Sequence, residues 1–186
     1  CTEGNEYNMS ISGSQTWGQS VVLKGIKSIA KGRTLNGNTT IRYCQCDAEE
    51  RNPEGGLIYN NTNLSSLYMP KIKKIVYSTS TKIKFFEGYK GLKYVYMPEL
   101  EEISGEDLFV NTNKIEYCNF PKLKRISADY LGNQIGYGGA LSRTLLKKIF
   151  LPSLEYVGVF DVYSSAFSFN SLLTEIELPK LTHLGG

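Results

Sequence analysis

The string LYMPKIKKI, residues 67–75, returns along the chain as VYMPELEEI, CNFPKLKRI, IFLPSLEYV and IELPKLTHL. Extended three residues upstream, the shared unit is a twelve-residue block: apolar, two variable, apolar, one variable, apolar, proline, one variable, apolar, two variable, apolar. The copies occupy 64–75, 92–103, 115–126, 146–157 and 173–184, with Cys118 counted as apolar. Their prolines, Pro70, Pro98, Pro121, Pro152 and Pro179, are 28, 23, 31 and 27 residues apart. Self-similarity at that period means stacked supersecondary units, each too small to bury its own apolar face. A weaker copy occupies 18–29, with Gly18 at the first apolar position and Lys24 in place of proline. The 46 residues from Lys24 to Pro70 leave room for one more, expected around TTIRYCQC with its register open. Six or seven repeats then make a domain over 18–186, preceded by a tether at 1–17.

The block has a physical reading. Leu67 and Met69 stand two apart, so on a strand they share one face while Ser66 and Tyr68 point the other way. Pro70 has no amide hydrogen for a ladder, so it ends the strand and starts the return. Ile72 and Ile75 turn back into the same core. Between blocks lie segments of 16, 11, 19 and 15 residues, some with paired aromatics such as Phe85-Phe86 and SSAFSFNS at 164–171. Those aromatics are expected to fill the far side of each coil. The expected fold class is an α/β repeat solenoid, with a parallel sheet on one side and irregular or short helical segments on the other. A hydrophobic content of 41% over 186 residues is enough for such a core.

The pattern L-x-x-I-x-L-P followed by apolar residues resembles the BspA-like branch of leucine-rich repeat proteins, a family of bacterial surface and secreted proteins, over residues 18–184. The IGxxAF portion of that family is poorly kept, SSAFSFNS being the nearest stretch. The resemblance implies a right-handed leucine-rich repeat coil and adhesion or protein binding outside the cell. It brings no catalytic residues.

Two readings of the opening CTEGNEYNMS stay open. Either a secretory leader has been removed ahead of a bacterial lipoprotein cysteine, with the lipid on Cys1, or a boundary simply falls there. The first places the protein on the bacterial cell surface as an outer-membrane lipoprotein, with the polar, Gly- and Ser-rich residues 1–17 as tether. At the other end THLGG follows a block with no polar cap, so the natural chain continues or frays there. No run of about 18 apolar residues exists to span a bilayer, which leaves a lipid on Cys1 as the expected membrane contact. The sequons at Asn8, Asn38, Asn60 and Asn63 are expected to stay bare in a bacterial chain.

Enzyme chemistry finds little to use. Cys44 and Cys46 stand two apart, too strained for a mutual disulfide, and Cys118 lies repeats away, so all three read as small core side chains. Cys44-x-Cys46 lacks the spacer and second ligand pair of a zinc site. The sole histidine, His183, sits at a variable repeat position and reads as an exposed edge residue, leaving nucleophilic triads nothing to draw on. Glu99, Glu101 and Glu102, like Asp47, Glu49 and Glu50, occupy variable or loop positions as solvated charge rather than a glycosidase pair. GYGG at 136–139 carries no phosphate-binding fingerprint. The chain is expected to be no enzyme and to hold no metal or cofactor.

The net charge of +3 is a mild excess. After successive prolines the variable positions read Lys71, Lys73, Lys74, then Glu99, Glu101, Glu102, then Lys122, Lys124, Arg125. Stacking lays basic against acidic, whereas a nucleic acid would want like signs in register, so no nucleic-acid partner is expected.

What remains is the outward side of the sheet. The positions flanking each central strand residue read Ser66, Tyr94, Tyr117, Lys148 and Glu175 before it, and Tyr68, Tyr96, Asn119, Phe150 and Glu177 after it. With strands about 4.8 Å apart, Tyr68, Tyr94, Tyr96, Tyr117 and Phe150 would form a nearly continuous aromatic strip beside Asn119. Interfaces are enriched in such residues. Cross-strand aromatic pairs also stabilise a sheet that binds nothing. The functional expectation is a secreted or surface-anchored adhesion module whose strip binds a host or neighbouring-cell protein, extracellular matrix included. A glycan-binding module competes with it, tyrosines stacking on sugar rings while Asn119, Glu175 and Glu177 bond hydroxyls. A structural spacer is the third reading.

Overall fold

The computed structural model describes residues 19–29, 32–33, 40–51, 55–57, 61–76, 86, 89–104, 112–127, 140–158 and 166–185. Cys1 with the expected tether, Phe85, the GYGG stretch and the sequons at Asn8, Asn38 and Asn60 lie outside them. In the first half the strands are β1 (Ser20–Leu23), β2 (Ser28–Ile29), β3 (Gly32–Arg33), β4 (Tyr43–Cys46), β5 (Glu50–Arg51), β6 (Gly55–Gly56), β7 (Ser66–Tyr68) and β8 (Lys74–Val76). The second half continues with β9 (Tyr94–Tyr96), β10 (Glu102–Ser104), β11 (Tyr117–Asn119), β12 (Arg125–Ser127), β13 (Lys148–Phe150), β14 (Tyr156–Val157), β15 (Glu175–Glu177) and β16 (His183–Leu184).

These strands wind into a parallel β-solenoid. One sheet runs β1-β4-β7-β9-β11 and a second runs β8-β10-β12-β14-β16, while β13-β15, β2-β5 and β3-β6 pair as two-stranded sheets. Register follows the block. Val21, Cys44, Leu67, Val95 and Cys118 form one inward row across the first sheet. Ile75, Ile103, Ile126 and Val157 form the matching row across the second, and Leu184, paired with Val157 in the last coil, is 70% exposed. Between the rows Leu64, Met69, Ile72, Leu92, Met97, Leu100, Ile115 and Leu123 are all 0% exposed. Burying each such side chain contributes roughly 1.5–3 kcal/mol, enough in sum to hold strands of two to four residues in place.

The proline is placed by turn geometry as well as by its missing amide. Amides of Leu100, Leu123, Leu154 and Leu181 donate to the carbonyls of Met97, Phe120, Leu151 and Leu178 at 3.2 Å, closing four-residue turns. Pro98, Pro121, Pro152 and Pro179 stand second in those turns, where a fixed φ favours the bend. Just past the turn two amides share one carbonyl of the coil before: Glu101 and Glu102 donate to Lys73, Lys124 and Arg125 to Glu101, Glu155 and Tyr156 to Lys124. The turn that leads into β9 is tight enough that a Cβ on Gly91 would meet the Thr62 carbonyl oxygen at 2.4 Å.

Three features depart from the expected arrangement. The return side, expected to be irregular or helical, carries the second parallel sheet, and the described residues contain no helix. The copy around TTIRYCQC has a defined register, with Ile41, Cys44 and Cys46 buried and β4 between β1 and β7. It is one residue short after the strand, so buried Ala48 stands in for the next apolar position and Arg51 pairs with Ile29. The Arg51 guanidinium donates to the Val76 carbonyl at 2.6 Å, joining this coil to the next. Finally, the first sheet stops at β11. Across the 19-residue connection that follows, the second sheet continues through β12-β14, but among the described residues β13 pairs only with β15.

Two connections are capped by an asparagine three residues before a block. Asn61, fully buried, accepts from the amides of Asn63 at 3.1 Å and Leu64 at 2.9 Å. Asn170 accepts from the Thr144 amide at 2.7 Å and the Thr144 hydroxyl at 2.8 Å, and donates to the carbonyls of Leu141 at 2.7 Å and Phe167 at 2.9 Å. Phe86 and Tyr89, both 0% exposed, fill the far side of their coil edge to face at 5.7 Å. In SSAFSFNS, Ala166 is buried and Phe167 packs on the core, but Phe169 is 63% exposed.

Candidate functional site

Alternation along three-residue strands turns the flanking residues of each central position outward. Register then assembles them into two rows on the first sheet: Ser20, Tyr43, Ser66, Tyr94, Tyr117 and Val22, Gln45, Tyr68, Tyr96, Asn119. Tyr94, Tyr96 and Tyr117 are 37%, 36% and 46% exposed, whereas Tyr68 and Asn119 are half-buried. The Tyr96 and Tyr117 rings meet at 5.5 Å between centroids, tilted by 44°. The patch is thus an aromatic cluster on two neighbouring strands with Tyr68 at its flank.

Phe150 is 53% exposed but belongs to the β13-β15 pair, beyond the end of the five-stranded sheet. The strip is therefore interrupted, because β11 and β13 do not pair. Around Phe150 the surface is charged. Lys148 lies 5.9 Å from its ring and donates to Glu175 at 3.1 Å and to Glu177. The bonds to Glu177 and then Glu175 hold the Lys148 ammonium above its ordinary range, and the same Lys148 bond holds the Glu177 carboxyl below its own. That carboxylate's contribution is present above its ordinary range and is lost as pH falls through the depressed value.

Tyr43 is an aromatic on the same face that could be assigned only once the second copy had a register. Its hydroxyl donates to the Gln45 side-chain oxygen at 3.4 Å, and Gln45 donates to Asp47 at 2.9 Å. Burial, then the neighbouring Tyr68, pushes its phenol above the ordinary value.

The charge rows after the prolines pair as stacking requires. Lys74 meets Glu102 at 2.8 Å, Lys122 meets Glu99 at 2.7 Å, Lys124 meets Glu101 at 3.2 Å and Lys71 meets Glu49 at 3.6 Å. Exposed pairs of this kind stabilise by roughly 0–1 kcal/mol each, so they favour correct coil order more than they hold the fold. Arg125 instead lies 3.8 Å from the Tyr156 ring centroid, and Tyr156 stacks on exposed His183 at 4.4 Å.

Cys44 and Cys46 are free and fully buried, and Cys118 is free and half-buried. Burial pushes the Cys46 thiol up to about 11 and raises Cys44 and Cys118 as well. Since the thiolate is the nucleophile, iodoacetamide at pH 8 is expected to leave Cys44 and Cys46 unmodified in the folded protein and to label both in urea. Peptide mass mapping reads the result; native labelling at the denatured rate would place these thiols outside the core.

The chain matches no family model, no curated protein and no solved structure.

Proposed function

We propose that this solenoid is a recognition module with leucine-rich repeat kinship of the BspA-like kind, secreted or held at the bacterial cell surface, and that it binds a protein partner through the outward face of its first sheet. The observation that carries the reading is the exposure of Tyr94, Tyr96 and Tyr117 together on two paired strands. Tyrosines offer large contact area at low entropic cost, and the ladder between β9 and β11, with β7 pairing on the far side of β9, holds this cluster in register. Host, neighbouring-cell or extracellular-matrix proteins are the expected partners, and on this reading the chain has no catalytic role. A lipid on Cys1 would supply the anchor.

Glycan binding is the second reading, favoured by the open ring faces and by Asn119 beside them. Glu175 and Glu177 support it less, since Lys148 engages both on a separate sheet.

The test is a screen of extracellular-matrix proteins and a glycan panel with the wild type and a folded Tyr94→Ala/Tyr96→Ala/Tyr117→Ala variant. Loss of at least about tenfold in affinity for a protein hit, the scale of one hot-spot truncation or more, is the expected outcome. Hits that survive the triple substitution unchanged would make the cluster a sheet-stabilising feature, and an empty screen would favour the spacer.

A further inference from the structure

The coil at 173–184 exposes the inward row that the coil before it buries. Leu146, Ile149, Leu151, Leu154 and Val157 are at most 3% exposed, whereas Ile176 is 46% and Leu184 70% exposed. The edge of β15 away from β13 also carries the backbone groups that extend a ladder in earlier coils. There the Lys93 carbonyl accepts from the amides of Glu116 at 2.9 Å and Tyr117 at 3.1 Å, and the Met97 amide donates to the Asn119 carbonyl at 3.0 Å. The equivalent groups beside β15 are the Thr174 carbonyl and the Leu178 amide, with Ile176 between them.

The outward side chains of β15 state what would complement this edge. Within the stack an acid can lie between two bases: Glu102 stands in register with Lys74 on one side and Arg125 on the other. Glu175 and Glu177 share a single ammonium, Lys148 on β13, which lies 3.1 Å from Glu175 and in contact with Glu177. The three side chains sum to one negative charge, answered from the β13 side.

A second copy does not supply the complement. Set edge to edge about a two-fold axis, Ile176 would meet its own counterpart and Glu175 would face Glu177, like charges across a ladder. Set head to tail, β1 would bring Ser20 and Val22 opposite the glutamates.

We infer that the open edge of β15 binds an extended segment of another protein, added as a parallel strand that reads basic, apolar, basic. The apolar residue covers Ile176, the two cations reach Glu175 and Glu177 from the side opposite Lys148, and the added backbone bonds the Thr174 carbonyl and the Leu178 amide. Charged flanks discourage indiscriminate pairing at an exposed edge, so they select the partner as well as attract it. The edge lies on a different sheet from Tyr94, Tyr96 and Tyr117, and its binding stands without theirs.

The test is fluorescence anisotropy of the whole chain with a labelled peptide copied from residues 144–155 and carrying Phe150→Lys, so that cations flank Ile149. Three further peptides change it: Lys148→Glu with Phe150→Glu, Ile149→Asp, and N-methylation at position 148, which removes the amide meant for the Thr174 carbonyl. The basic peptide is expected to bind, and each change should cost about tenfold or more in affinity. On the protein side, folded Glu175→Lys/Glu177→Lys should lose about tenfold for the basic peptide and gain a similar factor for the acidic one, while the triple tyrosine variant stays within about twofold of wild type. If the charge-reversed variant does not fold, the peptide series on the wild type decides alone. No binding of the basic peptide, equal affinity for the basic and acidic peptides, or indifference to N-methylation would overturn the inference. So would self-association of the chain that the peptide fails to compete away, which would assign the edge to a second copy. Loss in the tyrosine variant alone would move the peptide to the first sheet, so this edge and the tyrosine face fail separately.

Discussion

Phe120→Ala is expected to lower stability by about 3–5 kcal/mol, read as a fall in the urea midpoint at unchanged slope. Phe120 is 1% exposed and occupies the inward position just before Pro121. The adjacent coils fill that position with Met97 and Leu151, paired with Val95 and Ile149 two residues earlier. Here the earlier residue is the smaller Cys118, and the benzyl group supplies the missing volume. Truncation to alanine would leave two small residues together between coils that remain tied by backbone bonds on both sides. The site therefore cannot collapse, and the cost includes a cavity as well as lost transfer energy. Phe120→Leu serves as control and should recover most of the loss, at a cost of roughly 1.5 kcal/mol or less. A midpoint unchanged by the alanine substitution would show that the two coils repack freely.

Asn170→Ala carries the second large effect, about 2–3 kcal/mol. One side chain satisfies the Thr144 amide, the Thr144 hydroxyl and the Leu141 and Phe167 carbonyls, so its removal leaves groups on two segments without partners. The four contacts divide into an accepting half and a donating half. Asn170→Asp keeps the acceptor toward Thr144 but sets a carboxylate oxygen against the two carbonyls, so it should not rescue the alanine variant. If aspartate restored wild-type stability, the bonds to Leu141 and Phe167 would be energetically idle.

The first strand of each repeat was legible because it carries two inward residues in period two, with proline immediately after. Leu67 with Met69, and Val95 with Met97, are buried as that pattern requires, while Tyr94 and Tyr96 are exposed. The second strand left no such signature. A strand such as Lys74–Val76 sends only Ile75 inward, and one residue cannot display a period. The turn caps carry a sequence signal of their own, since Asn61 and Asn170 both stand three residues before a block, and asparagine closes a local turn through its own side chain.

Repetition in the amino-acid order was sufficient to determine that this chain stacks parallel coils, which side chains face the core, and that charges after the prolines meet their opposites. Those are nearest-neighbour consequences of a periodic pattern, and each coil needs only the next one to realise them. Only the tertiary structure decided where the first sheet ends, and that Tyr94, Tyr96 and Tyr117 cluster while Phe150 lies on a separate pair of strands. Those outcomes depend on how connections of unequal length pack between coils, and variable connections carry no repeat from which their geometry can be read.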